Sequence, residues 1–266
     1  MTAIALTIAG SDSGGGAGIQ ADLKTFSALG VYGASVLTAV TAQNTRAVTA
    51  VQDIEPGVIA AQIDAVCSDL DVGAIKIGML SSVTIIDVVA DALADVRCPV
   101  VLDPVMVAKS GDALLARDAV AHLRTRLLPL AHVVTPNLPE AAQLLDGEPA
   151  HTPDEMAEQA NALRALGAGA VLMKGGHAEG AVCTDVLVGG DGSERFEAER
   201  VRTRNTHGTG CTLSSAIAAH LARGHTLPSA VAASHRYLQA AIRAADTLAI
   251  GSGHGPVHHF HALWST

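Results

Sequence analysis

Short apolar runs alternate with segments of helical periodicity along almost the whole of this 266-residue chain. The runs have the length and the turn-forming boundaries that are typical of buried strands. They occupy 3–9, 34–41, 48–54, 74–77, 99–102, 133–135 and 170–174. Strands that alternate with helices predict a mostly parallel sheet covered by helices on both faces, which is an α/β architecture.

The helical segments fall between and after these runs. They occupy 19–29, 56–70, 83–93, 116–128, 153–166 and 227–248, with two more that begin near 139 and after a turn at 205–211. Residues 184–188 and 194–196 flank a Gly-Gly-Asp-Gly turn, which predicts a hairpin at an antiparallel edge of the sheet. No linker or internal repeat interrupts the pattern, so residues 1–266 are predicted to form one domain.

The charge and the cysteines argue against several classes of function. The formal net charge is −9 and no basic run occurs, which argues against nucleic acid and anionic membranes as partners. No apolar run is long enough to span a bilayer, and the first residues lack the basic start and the cleavage site of a signal peptide. Cys67, Cys98, Cys183 and Cys211 form no CxxC pair, so a reducing cytoplasm is expected rather than a disulfide framework or a zinc site.

Residues 205–215 combine a glycine-rich turn with the start of a helix. Gly208 and Gly210 have no Cβ, so the backbone can fold tightly and a ligand can approach it closely. The first N–H groups of a helix lack internal partners and carry the positive end of its dipole, which predicts an anion site. Cys211 follows directly, in a setting that is expected to lower the pKa of its thiol. The alternative is an ordinary glycine-rich loop capped by Thr209.

A second glycine-rich turn, at 10–18, joins the first predicted strand to the first predicted helix. It contains neither the GxxxxGK[ST] pattern of a P-loop nor the GxGxxG pattern of a dinucleotide site. Open α/β sheets nevertheless bind ligands at the carboxyl ends of their strands. This turn is therefore assigned to a small substrate.

Further polar or ligand-type residues follow the predicted strands at the point where each strand ends. The carboxyl ends of parallel strands lie along one edge of a sheet, so one cleft is expected to gather these side chains with the turn at 205–211. The residues are Asp12, Gln43, Met79, Asp103, Asn137, Glu140 and Lys174.

The chemistry of these residues suits a phosphate and a divalent cation. Asp103, Asn137 and Glu140 offer the oxygen ligands that Mg²⁺ prefers, and Lys174 suits a phosphate chain as a point charge. Simpler roles also fit: Glu140 as a first-turn carboxylate, Asn137 as a helix N-cap and Asp103 as a turn residue. Met79 is as readily explained by core packing.

Motifs spread along the chain carry a family resemblance. They are GSDSGGGAGIQAD (10–22), TAQNT (41–45), KIGML (76–80), VLDPVMVAKSGD (101–112), TPNLPEA (135–141), LMKGGH (172–177) and NTHGTGCTL (205–213). Together they resemble the hydroxymethylpyrimidine/phosphomethylpyrimidine kinases of thiamine biosynthesis, which belong to the ribokinase-like superfamily. The resemblance covers the chain in order from residue 3 to about 261.

This resemblance implies a ribokinase-like three-layer sandwich. No separate lid domain is evident in the sequence, so loops such as 104–115 are expected to exclude water. It also implies ATP-dependent phosphorylation, with Mg²⁺, of 4-amino-5-hydroxymethyl-2-methylpyrimidine to its monophosphate and then to its diphosphate. Relatives of this kind are often homodimers. A pyridoxal kinase of the same superfamily is the alternative, because its acceptor is also a hydroxymethyl group on a flat aza-aromatic ring. A non-catalytic pyrimidine-binding protein on the same fold is a further alternative.

By position, the resemblance assigns residues to groups. Those expected at the substrate are Gly10, Asp22, Gln43, Met79 and Val105. Those expected at ATP are Lys109, Asn137, Lys174 and Thr209, with Asp103 and Glu140 at Mg²⁺. Those expected to take part in catalysis are Gly208, Thr209, Gly210 and Cys211.

Cys211 stands where the sugar kinases of the superfamily have an aspartate base. A thiolate can accept a hydroxyl proton, so Cys211 is a candidate base for the first phosphorylation. The second phosphorylation uses an anionic phosphate as nucleophile and needs no base. The histidines of the tail at 254–261 raise the question of a metal site, but related family members end in similar residues.

Overall fold

The computed structural model describes residues 1–107, 118–177 and 180–264, with the side chain of residue 177 left out of the description. The described strands form one sheet in the order β3-β2-β1-β4-β5-β6-β7-β8-β9. Their bounds are β1 (Ile4–Asp12), β2 (Tyr32–Gln43), β3 (Val48–Asp53), β4 (Ala74–Ile77), β5 (Val100–Leu102), β6 (Val133–Val134), β7 (Val171–Met173), β8 (Val182–Gly189) and β9 (Gly192–Glu199).

The centre of this sheet is parallel and both of its edges are antiparallel. Strands β2, β1, β4, β5, β6 and β7 pair in parallel. Strands β8 and β9 form the expected hairpin at one edge, and β3 runs antiparallel to β2 at the other. The parallel centre therefore directs the carboxyl ends of its strands toward one side of the molecule.

Helices cover both faces of the sheet. Their bounds are α1 (Gly18–Ala28), α2 (Pro56–Cys67), α3 (Val83–Ala92), α4 (Ala119–His122), α5 (Leu138–Leu144), α6 (Pro153–Ala165), α7 (Thr209–Ala222) and α8 (Leu227–Arg243). One buried apolar cluster joins the sheet to α2, α3, α5 and α6, and a second joins it to α1, α7 and α8. Neighbouring strand residues such as Val101 and Leu102 belong to opposite clusters, because successive side chains of a strand point to opposite faces. The predicted three-layer α/β sandwich is confirmed.

Two helix predictions were wrong in detail. The segment predicted as one helix over 116–128 is α-helical only at Ala119–His122, then π-helical at Leu123–Leu127 and 3₁₀-helical at Leu128–Leu130. Its first residues lie outside the described part of the chain. Pro129 explains the change, because it has no N–H to continue an α-helical ladder. The helix predicted to reach residue 248 ends at Arg243 and is followed by a 3₁₀ turn at Ala245–Thr247.

Within the described residues, no helix is both long and apolar enough to cross a membrane.

Candidate active site

A cleft of about 610 Å³ opens at the carboxyl ends of the parallel strands. Its size and position are typical of ligand sites in open α/β sheets. Nearly all of the predicted site residues line it: Gly10, Gln43, Met79, Asp103, Val105, Asn137, Glu140, Lys174, Gly208, Thr209, Gly210 and Cys211. The strand-end reasoning therefore predicted this cleft, which gathers residues as far apart in the chain as Gly10 and Cys211.

Of the two remaining predicted residues, Lys109 lies outside the residues that the structure describes. Asp22 is fully buried behind the cleft, where its carboxylate accepts hydrogen bonds from Lys76 Nζ at 2.8 Å, Thr7 Oγ1 at 2.6 Å and Ser215 Oγ at 2.6 Å. Asp22 is therefore the internal partner of a buried lysine, and its position does not allow a direct contact with substrate.

The glycine turn is shaped by a left-handed residue. Gly208 has φ +79° and directly precedes α7, and a Cβ at this position would collide with the carbonyl oxygen of Gly16. Only glycine fits this conformation and this contact. The alternative of a loop capped by Thr209 is wrong, because Thr209 is the first residue of the helix and no side chain caps it. The amino end of α7 faces the cleft through Thr209, Gly210 and Cys211, as an anion site requires.

Cys211 departs from the expectation for its thiol. Burial raises its pKa to about 11, although the nearby Lys76 ammonium acts in the opposite direction. The positive end of a helix was expected to lower this pKa, but burial, together with the charges of Asp22 and Asp103, acts in the opposite direction. The prediction that this setting lowers the pKa of the thiol was therefore wrong.

Lys174 joins the two acidic residues of the cleft. Its Nζ donates a hydrogen bond to Asp103 Oδ1 at 2.7 Å and lies 3.8 Å from Glu140 Oε2. Burial opposes ionisation of Asp103, but the charges of Lys174 and Lys76 hold its pKa below the ordinary value. A Cβ on Gly210 would lie only 3.3 Å from Lys174 Nζ, so the ammonium group packs directly against the glycine turn.

Asn137 and Glu140 close the start of α5. Asn137 Oδ1 accepts from the backbone N–H of Glu140 at 2.9 Å, and Glu140 Oε2 accepts from the backbone N–H of Asn137 at 2.8 Å. This is a capping box, so the simpler roles considered for both residues are present. Burial, opposed by Lys174, raises the pKa of Glu140 to about 7. Both residues also line the cleft, so their side chains are accessible to a ligand there.

The other side of the cleft is built around Asp12, whose role was not recognised beyond its position at a strand end. Its carboxylate accepts from the backbone N–H groups of Gly14 at 2.8 Å, Gly16 at 3.0 Å and Ala17 at 2.8 Å. It also contacts His207 Nε2 at 2.8 Å. Burial would raise the pKa of Asp12, but His207 and the backbone donors hold it below its ordinary value. Asp12 thus fixes the turn at 10–18, next to Met79 and Gln43.

The C-terminal segment supports two of these loops. The backbone N–H of His254 donates to Thr45 O at 2.8 Å, and that of His207 donates to Gly255 O at 3.0 Å. Further along, Thr212 Oγ1 of α7 lies 3.1 Å from His259 Nε2. Residues 253–259 therefore connect the loop that follows Gln43 to the turn at 205–211. From the sequence, the histidines of this tail were considered only as possible metal ligands. No signal in the sequence indicated that the tail connects the two loops.

Part of the cleft lining is apolar. It includes Val201, Leu213, Leu238 and Ile242, together with the polar Gln239 of α8. The sequence predicted α8 as a helix, but nothing in it indicated that residues of this helix would line the cleft. An apolar surface with an amide suits a flat heteroaromatic group.

The comparison of this chain with protein families agrees with the geometry. The sequence profile described as phosphomethylpyrimidine kinase matches residues 12–258. The chain belongs to this family. It is therefore a kinase, and the alternative of a non-catalytic binding protein is set aside.

Individual members of the family and solved structures extend this result. A hydroxymethylpyrimidine/phosphomethylpyrimidine kinase of Rhizobium meliloti is 63% identical over 264 residues, which are 99% of each chain. Bacillus subtilis pyridoxal kinase, solved as an ADP complex, has a TM-score of 0.90 and 40% identity, covering 98% of this chain and 99% of that one. Phosphomethylpyrimidine kinase of Clostridium difficile has a TM-score of 0.80 and 46% identity, covering 90% and 99%. The ribokinase-like fold is thus shared with kinases of two different acceptors.

Proposed function

We propose that this kinase transfers phosphate from ATP to 4-amino-5-hydroxymethyl-2-methylpyrimidine and then to the resulting monophosphate, for thiamine biosynthesis. The observation that carries the proposal is one cleft that holds a wall for a flat ring, formed by Gly10, Gln43 and Met79, together with the glycine turn and Lys174. The name of the 63% identical relative states both acceptors.

The acceptor ring is proposed to lie between Met79, Val105 and the turn at 10–18. A Cβ on Gly10 would lie 3.1 Å from Met79 Sδ, so the glycine leaves a flat apolar surface here. Gln43 offers a donor and an acceptor at the edge of this surface, which suits an aminopyrimidine. The hydroxymethyl group would then face Cys211 and the amino end of α7.

The phosphates are proposed to bind across the glycine turn. Backbone N–H groups at the start of α7, such as that of Gly210, would stabilise the transferred group, and Lys174 would neutralise its charge. Asn137 is proposed at the nucleotide phosphates, and Lys109 remains a prediction for the same group. The apolar part of the cleft lining beside Leu238 and Gln239 would receive the adenine.

The residues present also fit Mg²⁺. Glu140 is proposed as the protein ligand, because its Oε2 lies 3.8 Å from Lys174 Nζ, beyond hydrogen-bond distance. Asp103 is already paired with Lys174 at 2.7 Å and is proposed to hold that lysine in place. No cluster of three or more potential ligands occurs among the described residues, which suits a cation that takes most of its ligands from phosphate and water. When bound, Mg²⁺ would supply charge neutralisation at the phosphates.

Catalysis would rest mainly on positioning and on charge stabilisation. A thiol with a pKa of about 11 is protonated at neutral pH, so Cys211 can act as a base only if bound substrates lower that pKa. The second step needs no base, because its nucleophile is an anionic phosphate.

Cys211→Ala separates the two steps. If Cys211 is the base, the rate with the alcohol should fall by about 10²–10⁴-fold while the rate with the monophosphate changes little. The exposed Cys67→Ala variant is the control. Near-normal rates of Cys211→Ala on the alcohol would exclude the base role.

A coupled ADP assay with the pyrimidine alcohol, its monophosphate and pyridoxal tests the proposed function. We expect the highest kcat/KM with the two pyrimidines. Pyridoxal kinase is the second candidate, because the ADP complex from Bacillus subtilis with this fold carries that activity in its name. Preference for pyridoxal over both pyrimidines would replace our proposal with that one.

The setting of the enzyme is also proposed. All four cysteines are free, which supports a reducing cytoplasm. A homodimer is proposed, and the exposed Val40 and Val51 on the β2–β3 edge offer an apolar surface for it. Sedimentation equilibrium would test the dimer. Nucleic acid and membranes are not proposed as partners, given the net charge of −9.

A further inference from the structure

The side-chain amide of Gln43 lies between two polar groups whose hydrogen-bonding roles are already determined. One end of the amide is 3.3 Å from Thr41 Oγ1, and the other end is 3.4 Å from His207 Nε2. The backbone of Gln43 is fixed as well, since its N–H donates to Ser13 Oγ at 2.8 Å and its carbonyl accepts from the same hydroxyl at 2.9 Å. These contacts leave one question about the amide, namely which of its two terminal atoms is the oxygen and which is the nitrogen.

The His207 side is determined by Asp12. Asp12 Oδ2 receives the backbone N–H groups of Gly16 and Ala17, and a proton on this oxygen would oppose both donors. The carboxylate is therefore ionised and can only accept, so the hydrogen of the 2.8 Å contact belongs to His207 Nε2. An imidazole nitrogen that carries a hydrogen has no lone pair to offer Gln43. The amide atom that faces it must be the oxygen.

The Thr41 side leads to the same result independently. Thr41 Oγ1 donates its single hydrogen to Ser11 O at 2.8 Å. Toward Gln43 the hydroxyl can then only accept, so the amide atom that faces Thr41 must be the nitrogen. Oxygen and nitrogen of an amide have nearly the same shape, and their assignment follows from partners such as these.

We propose that His207, held by Asp12, is a positioning residue that fixes the Gln43 amide with its oxygen toward His207 and its nitrogen toward Thr41, and so determines the order in which the acceptor ring must present its donor and acceptor. The proposal rests on the proposed function, because it concerns the ring that Gln43 binds. A ring with an amino group beside an unprotonated ring nitrogen satisfies the fixed amide with its amino group on the His207 side. The 4-oxo analogue presents a carbonyl beside a ring N–H, in the reverse order, and is rejected.

His207 is well placed for this role. Its side chain is 10% exposed, and a Cβ on Gly16 would collide with its ring. Its backbone is paired on both sides with the C-terminal segment, through Gly255 O at 3.0 Å and Val257 N at 3.3 Å. The ring therefore has little freedom to turn away from Gln43.

The first experiment measures the protonation of His207 in the intact protein. Long-range ¹H–¹⁵N NMR of protein with ¹⁵N-labelled histidine should show a protonated Nε2 at neutral pH, assigned by the loss of this signal in His207→Phe. An unprotonated Nε2 would overturn the proposal, because Gln43 would then donate to it in the opposite orientation. This readout does not depend on which acceptor the enzyme uses.

The second experiment compares kcat/KM for 2-methyl-4-amino-5-hydroxymethylpyrimidine and its 4-oxo analogue. His207→Phe keeps an aromatic ring but frees the amide, so the preference for the amino ring should fall by roughly tenfold to a hundredfold. The change should appear mainly in KM, because the amide contacts the bound ring and not the transferred phosphoryl group. The exposed His225→Phe is the matched control.

Thr41→Val removes the second partner of the amide without a change in side-chain shape. It should weaken the preference in the same direction. Thr49→Val should not, because Thr49 lies on the exposed strand β3 and its hydroxyl donates to Ala42 O of β2. Unchanged preference in both His207→Phe and Thr41→Val would overturn the proposal. If the wild-type protein phosphorylates neither ring, the proposed function fails, and the NMR experiment still decides the orientation.

Discussion

Lys76 is the residue whose removal should damage the fold most clearly. Its side chain and that of Asp22 are both fully buried, and Lys76 Nζ contacts the two carboxylate oxygens at 3.0 and 2.8 Å. Removal of one partner of a buried ion pair typically costs about 3–5 kcal/mol. Because Thr7 and Ser215 still donate to Asp22 in Lys76→Met, we expect the lower end, a loss of about 3 kcal/mol in the free energy of unfolding.

Urea denaturation followed by far-UV circular dichroism measures this loss. The matched control is Arg124→Met, whose partner Asp146 is 76% exposed, and a surface pair of this kind should contribute about 0–1 kcal/mol. The double variant Asp22→Asn/Lys76→Met removes both charges and should recover most of the stability. A loss below about 1 kcal/mol in Lys76→Met, equal to that of the control, would show that the buried pair contributes no more to stability than a surface ion pair.

Three further predictions concern the cleft. Gly208→Ala should lose about 1–3 kcal/mol of stability, measured by urea denaturation, and should abolish transfer to both acceptors, since φ is +79° and the new Cβ meets Gly16 O. Gly224→Ala is its control, because φ is +81° but no atom lies within 4 Å of the added Cβ. A similar loss of stability in this control would show that the loss at Gly208 comes from the backbone conformation alone and not from the contact with Gly16 O. Lys174→Met should lower kcat/KM by about 10²–10³-fold with both acceptors in the coupled ADP assay, and a loss with only one acceptor would contradict a shared phosphate site. Glu140→Gln should flatten the pH dependence of stability: a carboxyl pKa raised from 4.5 to about 7 makes the native protein bind more protons than the unfolded chain, so stability falls as pH rises between those values. Urea denaturation at pH 5 and pH 7 measures this slope, and an unchanged slope would show that Glu140 does not titrate as described.

The fold was accessible from sequence because its signals are local. Strand β4 lies at Ala74–Ile77, as predicted from its short apolar run and from the Gly78-Met79 that closes it. The hairpin was found from its turn, but β9 extends over Gly192–Glu199 rather than 194–196. Most side chains of this edge strand are exposed, so its sequence carries no strong apolar pattern.

The site was predictable only in part, for a physical reason. The rule that the carboxyl ends of parallel strands share one edge of the sheet predicts which residues lie near the site. It does not say which of these residues contact each other. Asp12 and His207 are 195 positions apart, and no spacing rule connects them. Asp22 illustrates the converse: it lies in a recognisable motif, yet its side chain points into the core toward Lys76. The thiol of Cys211 was misjudged because burial, which opposes its ionisation, is a property of the whole fold.

The connection between residues 253–259 and the turn at 205–211 has a consequence for the order in which the protein is made. Synthesis proceeds from the amino end, so this segment is added after every strand and helix of the sandwich. Until then, His207 lacks the partner at Gly255 O, and α7 lacks the contact between Thr212 and His259. The nascent chain can therefore build its sheet early, but it completes the turn at 205–211 only when residues 253–259 fold back onto it.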